Sequence, residues 1–283
     1  MERNQVLPRV PEVVVEGIRP PSLRRALSEL WAYRGLVLAF ATRDFKVKYK
    51  QATLGVAWAL LQPLGLLGVF TLLVARAAEI STGDVPYPAF ALSTLVPWLF
   101  LQNSVSIGAQ ALLQDSVLVR KVYFPREAPI VGAVCAASVE FGVGIGLFLV
   151  LGPLLGARVG WTVLLALPLF AVLAVLAIGV SCGLGALNVY YRDVRHILPF
   201  AIQLWMFASP VIYPLSAIPP AWRELYAILN PAAGLLEAFR QALASGALPD
   251  PLLLTVSTSA TVGLALGGYK LFKRLEPAFA DVI

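Results

Sequence analysis

The chain has 283 residues, of which 59% are hydrophobic and only 13% charged. A soluble domain carries about 25% charged residues, so this chain cannot cover a globular surface and reads as an all-α integral membrane protein. Its formal charge of +6 then records orientation in a bilayer, through the cytosolic bias of Lys and Arg, rather than affinity for nucleic acid.

Residues 1–22 hold Pro8, Pro11, Pro20 and Pro21 with scattered charges and no long apolar run. They read as an irregular cytosolic arm without a cleaved secretory signal. Residues 23–52 turn helical. Leu27, Leu30 and Trp31 share one face, and Arg43, Lys46 and Lys50 recur at i, i+3 and i+7, which predicts a basic amphipathic interface helix in the headgroup plane.

The membrane domain, 53–283, divides into six spans at about 53–75, 87–113, 128–155, 161–187, 197–215 and 252–272, each near the roughly 20 residues that cross a bilayer. Continuous apolar runs favour helices over a β-barrel. Pro63 is expected to kink the first span, Pro97–Trp98 to interrupt the second, and Pro199 and Pro210 the fifth. Arg76, Glu79 and Asp84 fall in the loop after the first span. In the fourth span, Gly179-x-x-x-Gly183 and Ser181-x-x-x-Gly185 offer close helix packing through small residues.

Between the second and third spans lies a charged island, 115–127, in which Arg120, Lys121 and Arg126 surround Tyr123–Phe124 and Pro125 follows. Basic and aromatic residues between two spans make a poor lipid-facing surface and a good docking surface. A second island, 188–196, carries Tyr191, Arg192, Asp193 and Arg195. Residues 221–229 and 232–244 form two short amphipathic stretches that fit helices dipping into the outer leaflet. All but four of the 22 basic residues fall in segments assigned to the cytosol, the exceptions being Arg76, Arg158, Arg223 and Arg240. That asymmetry predicts both termini and both islands on the cytosolic side.

No phosphate-binding G-x-x-x-x-G-K-[ST] loop occurs, nor any Gly-Lys dipeptide, so nucleotide hydrolysis by the usual route is not expected on this chain. His196 is the only histidine, which leaves no expected metal site and no Ser–His–Asp set. Cys135 and Cys182 sit in apolar runs and read as small buried thiols. Glu140 is an acid inside a span, where a charge costs at least about 2.5 kcal/mol. A transport role and a packing or hydrogen-bonding role are both open to it. Trp58, Trp98, Phe100, Phe141, Phe148, Trp205, Phe207 and Tyr213 are candidates to line a channel, because sugars stack their C–H faces on aromatic rings. Core packing and interfacial belts are the alternative.

Six segments in order carry a family resemblance: RDFKVKYKQATLGVAWALLQP (43–63), VPYPAFALSTLVPWLF (85–100), RKVYFPRE (120–127), ALNVYYRDVRHILPF (186–200), QLWMFASPVIYP (203–214) and NPAAGLLEAFRQAL (230–243). The chain resembles the membrane permease of type-2 ABC exporters that move lipid-linked polysaccharides such as O-antigen, capsule and teichoic-acid chains. The resemblance implies a multi-pass protein of the bacterial cytoplasmic (inner) membrane, a homodimer paired with two copies of a separate ATPase that binds ATP and Mg. No cofactor is implied on this chain. Residues 43–50 would end the interface helix, 117–126 would form the coupling helix seated in the ATPase, and 221–244 would form two outer gate helices. The spans of two subunits would enclose an aromatic-lined channel.

A permease for a small hydrophobic drug or lipid shares this architecture. A polyprenyl-lipid transferase would need clustered carboxylates, whereas Asp115 and Glu127 stand apart in sequence and Asp193 has no acidic neighbour. A proton-driven carrier would need more than Glu140 at its depth.

Overall fold

In the computed structural model, which describes residues 23–50, 54–77 and 85–282, every regular element among the described residues is a helix. The arm before residue 23 and the loop holding Glu79 and Asp84 lie outside the described residues. The helices are α1 (Leu23–Ala32), α2 (Arg34–Tyr49), α3 (Trp58–Ala77), α4 (Tyr87–Gly108), α5 (Ala111–Gln114) and α6 (Ser116–Lys121). They continue as α7 (Ala128–Leu154), α8 (Ala166–Tyr190), α9 (Val194–Phe207), α10 (Pro220–Leu229), α11 (Pro231–Arg240), α12 (Pro251–Leu275) and α13 (Phe279–Val282).

The fold is built around α4. Its residues are apolar on every side, which suits a helix enclosed by others, and Ala89 through Leu101 are all buried. Phe100 meets Phe141 of α7 at 5.6 Å and Phe170 of α8 at 4.9 Å, and Phe141 meets Phe239 of α11 at 6.0 Å. On another side, Trp98 presents its face or edge to Trp205 of α9 at 5.7 Å in a T-shaped pair. Pro97 lies inside α4 without ending it, so the expected interruption does not occur. Neighbouring helices let membrane helices tolerate proline. Likewise α9 runs through Pro199 and ends at Phe207, before Pro210.

Among the described residues, four helical segments are long and apolar enough to cross a membrane: Tyr87–Gly108, Ala128–Leu154, Trp161–Tyr190 and Pro251–Ala278. The apolar part of α3, Trp58–Leu73, is shorter. The 14 residues of α9 reach about 21 Å at 1.5 Å per residue. The chain is thus a multi-pass, all-α membrane protein.

Small residues bring α8 against two partners. A Cβ on Gly179 would lie 2.3 Å from the Ala265 backbone, and one on Gly268 would lie 2.1 Å from the Gly179 carbonyl oxygen. On the other face of α8, Ser181 fills the space beside Gly108, and Asn188 Nδ2 donates to the Ala109 carbonyl at 2.9 Å. The 179/183 and 181/185 spacings therefore serve α12 and α4 respectively.

The first helical region departs from the expected single flat helix. It breaks at Tyr33. The amphipathic piece is α1, where Leu23, Leu27 and Trp31 form an exposed apolar stripe. The piece carrying Arg43 and Lys46, with Lys50 just past its end, is α2, which stands along α7. Phe40 fills the space over Gly132, and Lys48 reaches Glu140 eight positions further along both helices. A helix lying across the spans could not hold that matched register. Apolar side chains on more than one side of α2, with Val37, Phe40, Ala41 and Tyr49 buried, favour packing over floating at an interface.

Two ends of the bundle differ in character. One gathers Phe40, Val119, Phe124, Val189, Phe272 and Phe279 into a cluster beneath both charged islands. The other holds α10 and α11, joined at Asn230, whose Nδ2 donates to the Ala208 carbonyl and to Ser209 Oγ, both at 2.9 Å. There α11 is buried along its whole length, passes into one π turn and stops at Gly246. Gly246 has φ +64°, and a Cβ there would meet the Arg158 carbonyl oxygen at 2.5 Å, so glycine is required. Arg240, in the second of the two stretches expected to dip into the outer leaflet, is buried beside Glu237 with its guanidinium 4.3 Å from the Phe90 ring.

Candidate functional site

The first island folds as the short helix α6 followed by an extended return, Val122–Phe124, and a turn into α7. Its apolar anchors face inward. Val119 is fully buried and Phe124 is 2% exposed, with Phe124 6.0 Å from the Phe40 ring. Arg126 bridges the segment: its guanidinium sits 5.2 Å over Phe124, and Nη1 donates to the Val119 carbonyl. Pro125 is buried at the turn. The outward crest is formed by Val117, Arg120, Lys121, Val122 and Tyr123, with Tyr123 75% exposed. Mixed apolar and basic groups on a rigid base suit a protein contact.

Both ends of the island are held by ion pairs. Asp115, at the start, takes both terminal nitrogens of Arg43 on α2, the Nη2 contact being 2.9 Å. Arg43 also contacts Asp44, and bonding to Asp115 raises its pKa above the ordinary arginine value. Glu127, at the end, pairs with Lys273 of α12 at 2.6 Å and accepts from Tyr269 Oη at 3.0 Å. Lys273 in turn holds Glu276 at 2.8 Å. The carboxylates of Asp115 and Glu127 are almost wholly buried, and breaking such a pair costs about 3–5 kcal/mol. The island is thereby bolted to α2 on one side and α12 on the other. A lighter tie joins Tyr123 Oη to Glu29 of α1 at 3.0 Å, and this bond raises the Tyr123 pKa above its usual value.

The other sequence candidates separate clearly. Tyr191, Arg192, Asp193 and Arg195 are all exposed beside the first island, at the end where Tyr190 packs on Phe279. Lys46 on α2 and Lys50 just past its end are exposed, while Arg43 is engaged. Glu140 is not isolated: Lys48 Nζ meets its two oxygens at 2.7 and 2.8 Å, and Asn103 Nδ2 donates to Oε2 at 2.8 Å. Of the eight rings, Trp98, Phe100, Phe141 and Phe148 are buried in the chain's own core. Trp205 and Tyr213 are half-buried, and Trp58 and Phe207 are each 52% exposed. Phe100 and Phe141 border only a narrow crevice between α3, α4 and α7. The four buried rings are packed because each faces another helix of the same chain.

Sequence reading overlooked Glu29, Lys48, Asp115, Glu127 and Lys273 as fastening residues. The available signal was that each acid beside or inside a span needs a cation, yet only the fold shows which one. Among the described residues, no group of acids, histidines and cysteines could hold a metal ion.

The sequence profile of ABC-2 type transporters matches residues 35–244. The chain is 31% identical to the O-antigen export system permease protein RfbA of Myxococcus xanthus, over 92% of this chain and 99% of that protein. It is 22% identical to an O-antigen export system permease protein RfbA of Klebsiella pneumoniae, over 88% and 95% respectively. It is also 26% identical to the polysialic acid transport protein KpsM of Escherichia coli, over 86% and 94%. The matched region contains the islands, the central helix α4 and the buried α11, and with nearly full-length relatives it shows that the chain belongs to the ABC-2 type transporter family.

Proposed function

We propose that the chain is the channel-forming permease subunit of an ATP-driven exporter that moves lipid-linked polysaccharide across the cytoplasmic membrane of a bacterium. The observation that carries this reading is full-length similarity to an O-antigen export permease, joined by a polysialic acid transport protein on the same stretch. The chain itself is not an enzyme in this account. ATP and Mg are bound by a separate ABC ATPase, present in two copies against a homodimer of this chain.

The crest of Val117, Arg120, Lys121, Val122 and Tyr123 is the part that sits in the ATPase. Closure of the two ATPases pushes on it. Because Asp115–Arg43 and Glu127–Lys273 fasten the island to α2 and α12, the push moves those helices rather than folding the island away. In this reading α3 and α9 supply the fifth and sixth crossings, both termini are cytosolic, and α10 and α11 form the outer gate. Exposed rings on α3, α9 and α10, among them Trp58, Phe207 and Trp222, lie on surfaces that a second copy can enclose. They are the rings offered to the passing glycan.

Deleting the gene in its own bacterium tests the proposal. Surface polysaccharide should disappear while lipid-linked chains accumulate on the cytosolic side, and the wild-type gene should restore export. Normal surface polysaccharide in the deletion strain, or loss of resistance to a small hydrophobic compound instead, would overturn it.

A further inference from the structure

Glu140 and Lys48 meet where α2 ends and α3 begins, and the cavity beside them is not empty of chemistry. It has a volume of about 470 Å³ and is lined by Lys48, Tyr49, Trp58 and Gln62. A narrow crevice behind it, between α3, α4 and α7, shares Gln62 and is lined also by Asn103, Glu140 and Phe141. The cation thus stands on the cavity wall, and its counter-ion stands in the crevice behind it.

The matched register of α2 and α7 places this pair about 18 Å along α7 from Ala128, at 1.5 Å per residue. That height lies within the inner half of a helix of 27 residues. The Lys48 side chain is 34% exposed and that of Glu140 13%. Lys48 carries three donors on a flexible stem, and the two Glu140 oxygens do not exhaust its reach. Trp58, 52% exposed, offers a flat ring, and Gln62 offers an amide with both donor and acceptor atoms.

Cation, ring and amide around one cavity match a sugar diphosphate. We propose that this cavity holds the phosphorylated first sugar of a lipid-linked glycan on the cytosolic half of the subunit. Lys48 contacts the diphosphate, Trp58 stacks on the sugar's C–H face, and Gln62 meets its hydroxyls. Glu140, steadied by Asn103, keeps Lys48 aimed at the cavity when no ligand is present. The inference rests on the proposed export of lipid-linked polysaccharide and adds a place and a chemistry of recognition to it.

The test uses the full permease–ATPase complex in nanodiscs and measures binding of three probes: a polyprenyl diphosphate bearing one N-acetylglucosamine, the same polyprenyl diphosphate without sugar, and phosphatidylglycerol. Trp58→Leu should weaken the sugar-bearing probe roughly 2- to 10-fold and leave the sugar-free probe unchanged. Lys48→Gln should weaken both diphosphates roughly 10- to 100-fold. The exchange Lys48→Glu with Glu140→Lys keeps the ion pair but puts a carboxylate on the cavity wall. It should retain thermal stability and still lose diphosphate binding.

Full recovery of binding in the exchanged protein would reduce the pair to a structural tie and overturn the proposal. So would equal competition by phosphatidylglycerol, which would mark the cavity as a general lipid-headgroup site. If the wild-type complex binds none of the diphosphates, the export reading itself fails. If wild type and all variants bind alike, only the placement of the site fails.

Discussion

Replacing Tyr123 and Phe124 one at a time separates docking from anchoring. The two are adjacent in sequence, yet Phe124 is 2% exposed and Tyr123 75%. Phe124→Ala removes a ring packed near Phe40 and beneath Arg126, and truncating a buried Phe costs about 3–5 kcal/mol. Against a total stability of about 5–15 kcal/mol, that loss should lower the amount of protein in the membrane and its thermal stability. Tyr123→Ala gives up one exposed hydrogen bond to Glu29, worth at most about 0.5–1.5 kcal/mol. This variant should insert and melt like wild type while retaining less ATPase on purification and exporting less polysaccharide per ATP. The assay pairs a melting curve of the solubilised complex with the ATPase-to-permease ratio after affinity purification. Equal stability losses in both variants would refute the division of roles, as would wild-type ATPase retention and export in Tyr123→Ala.

Three further outcomes follow from the same geometry. A double-mutant cycle on Arg43→Gln and Asp115→Asn should show a coupling of about 1–3 kcal/mol, reduced from the fully buried case because the Arg43 side chain is 40% exposed. On α12, Gly268→Val should destabilise by about 1–3 kcal/mol, since its Cβ would strike the Gly179 carbonyl oxygen. Gly263→Ala, with open space around its Cβ, should be neutral or stabilising by up to about 1 kcal/mol; equal melting shifts in the two would contradict the backbone contact of α8 and α12. The Tyr123–Glu29 tie raises the tyrosine pKa above its unfolded value, so its contribution is complete below about pH 10 and lost only as pH rises through the raised value. Accordingly, Tyr123→Phe should change hydrogen exchange in α1 by the same amount at about pH 6 and about pH 9, and a change confined to one of them would refute the assignment.

Class and motif order were legible because they depend on local pattern. Long apolar runs, the charged islands between them and the gap between the stretches 221–229 and 232–244 all have near-neighbour causes, whereas the ends of α4 at Gly108 and α9 at Phe207, short of 113 and 215, do not. The centre of the fold was not legible. α4, α7 and α8 are all broadly apolar, and α4 is central only because its partners surround it. The island shows the same limit at the scale of a side chain. Phe124 is buried and Tyr123 exposed because Phe40 and Phe272 close over the cluster from distant parts of the chain. Glu140 read as a lone acid because Lys48 comes from a helix expected to lie flat. Once α2 stands along α7, a charge in a span becomes a paired one. The aromatic candidates divided for a similar reason, since composition cannot tell a ring facing outward from one facing its own chain.

The most direct measurement is transport by the purified complex in sealed proteoliposomes. The permease and its ATPase are reconstituted with a fluorescent polyprenyl-diphosphate oligosaccharide in the leaflet facing added ATP, and a quencher reports passage to the other side. The account predicts movement that requires ATP, fails with an ATPase unable to hydrolyse it, and falls in Tyr123→Ala although that permease is present in equal amount. Movement that is independent of ATP, or unchanged in Tyr123→Ala, would contradict it.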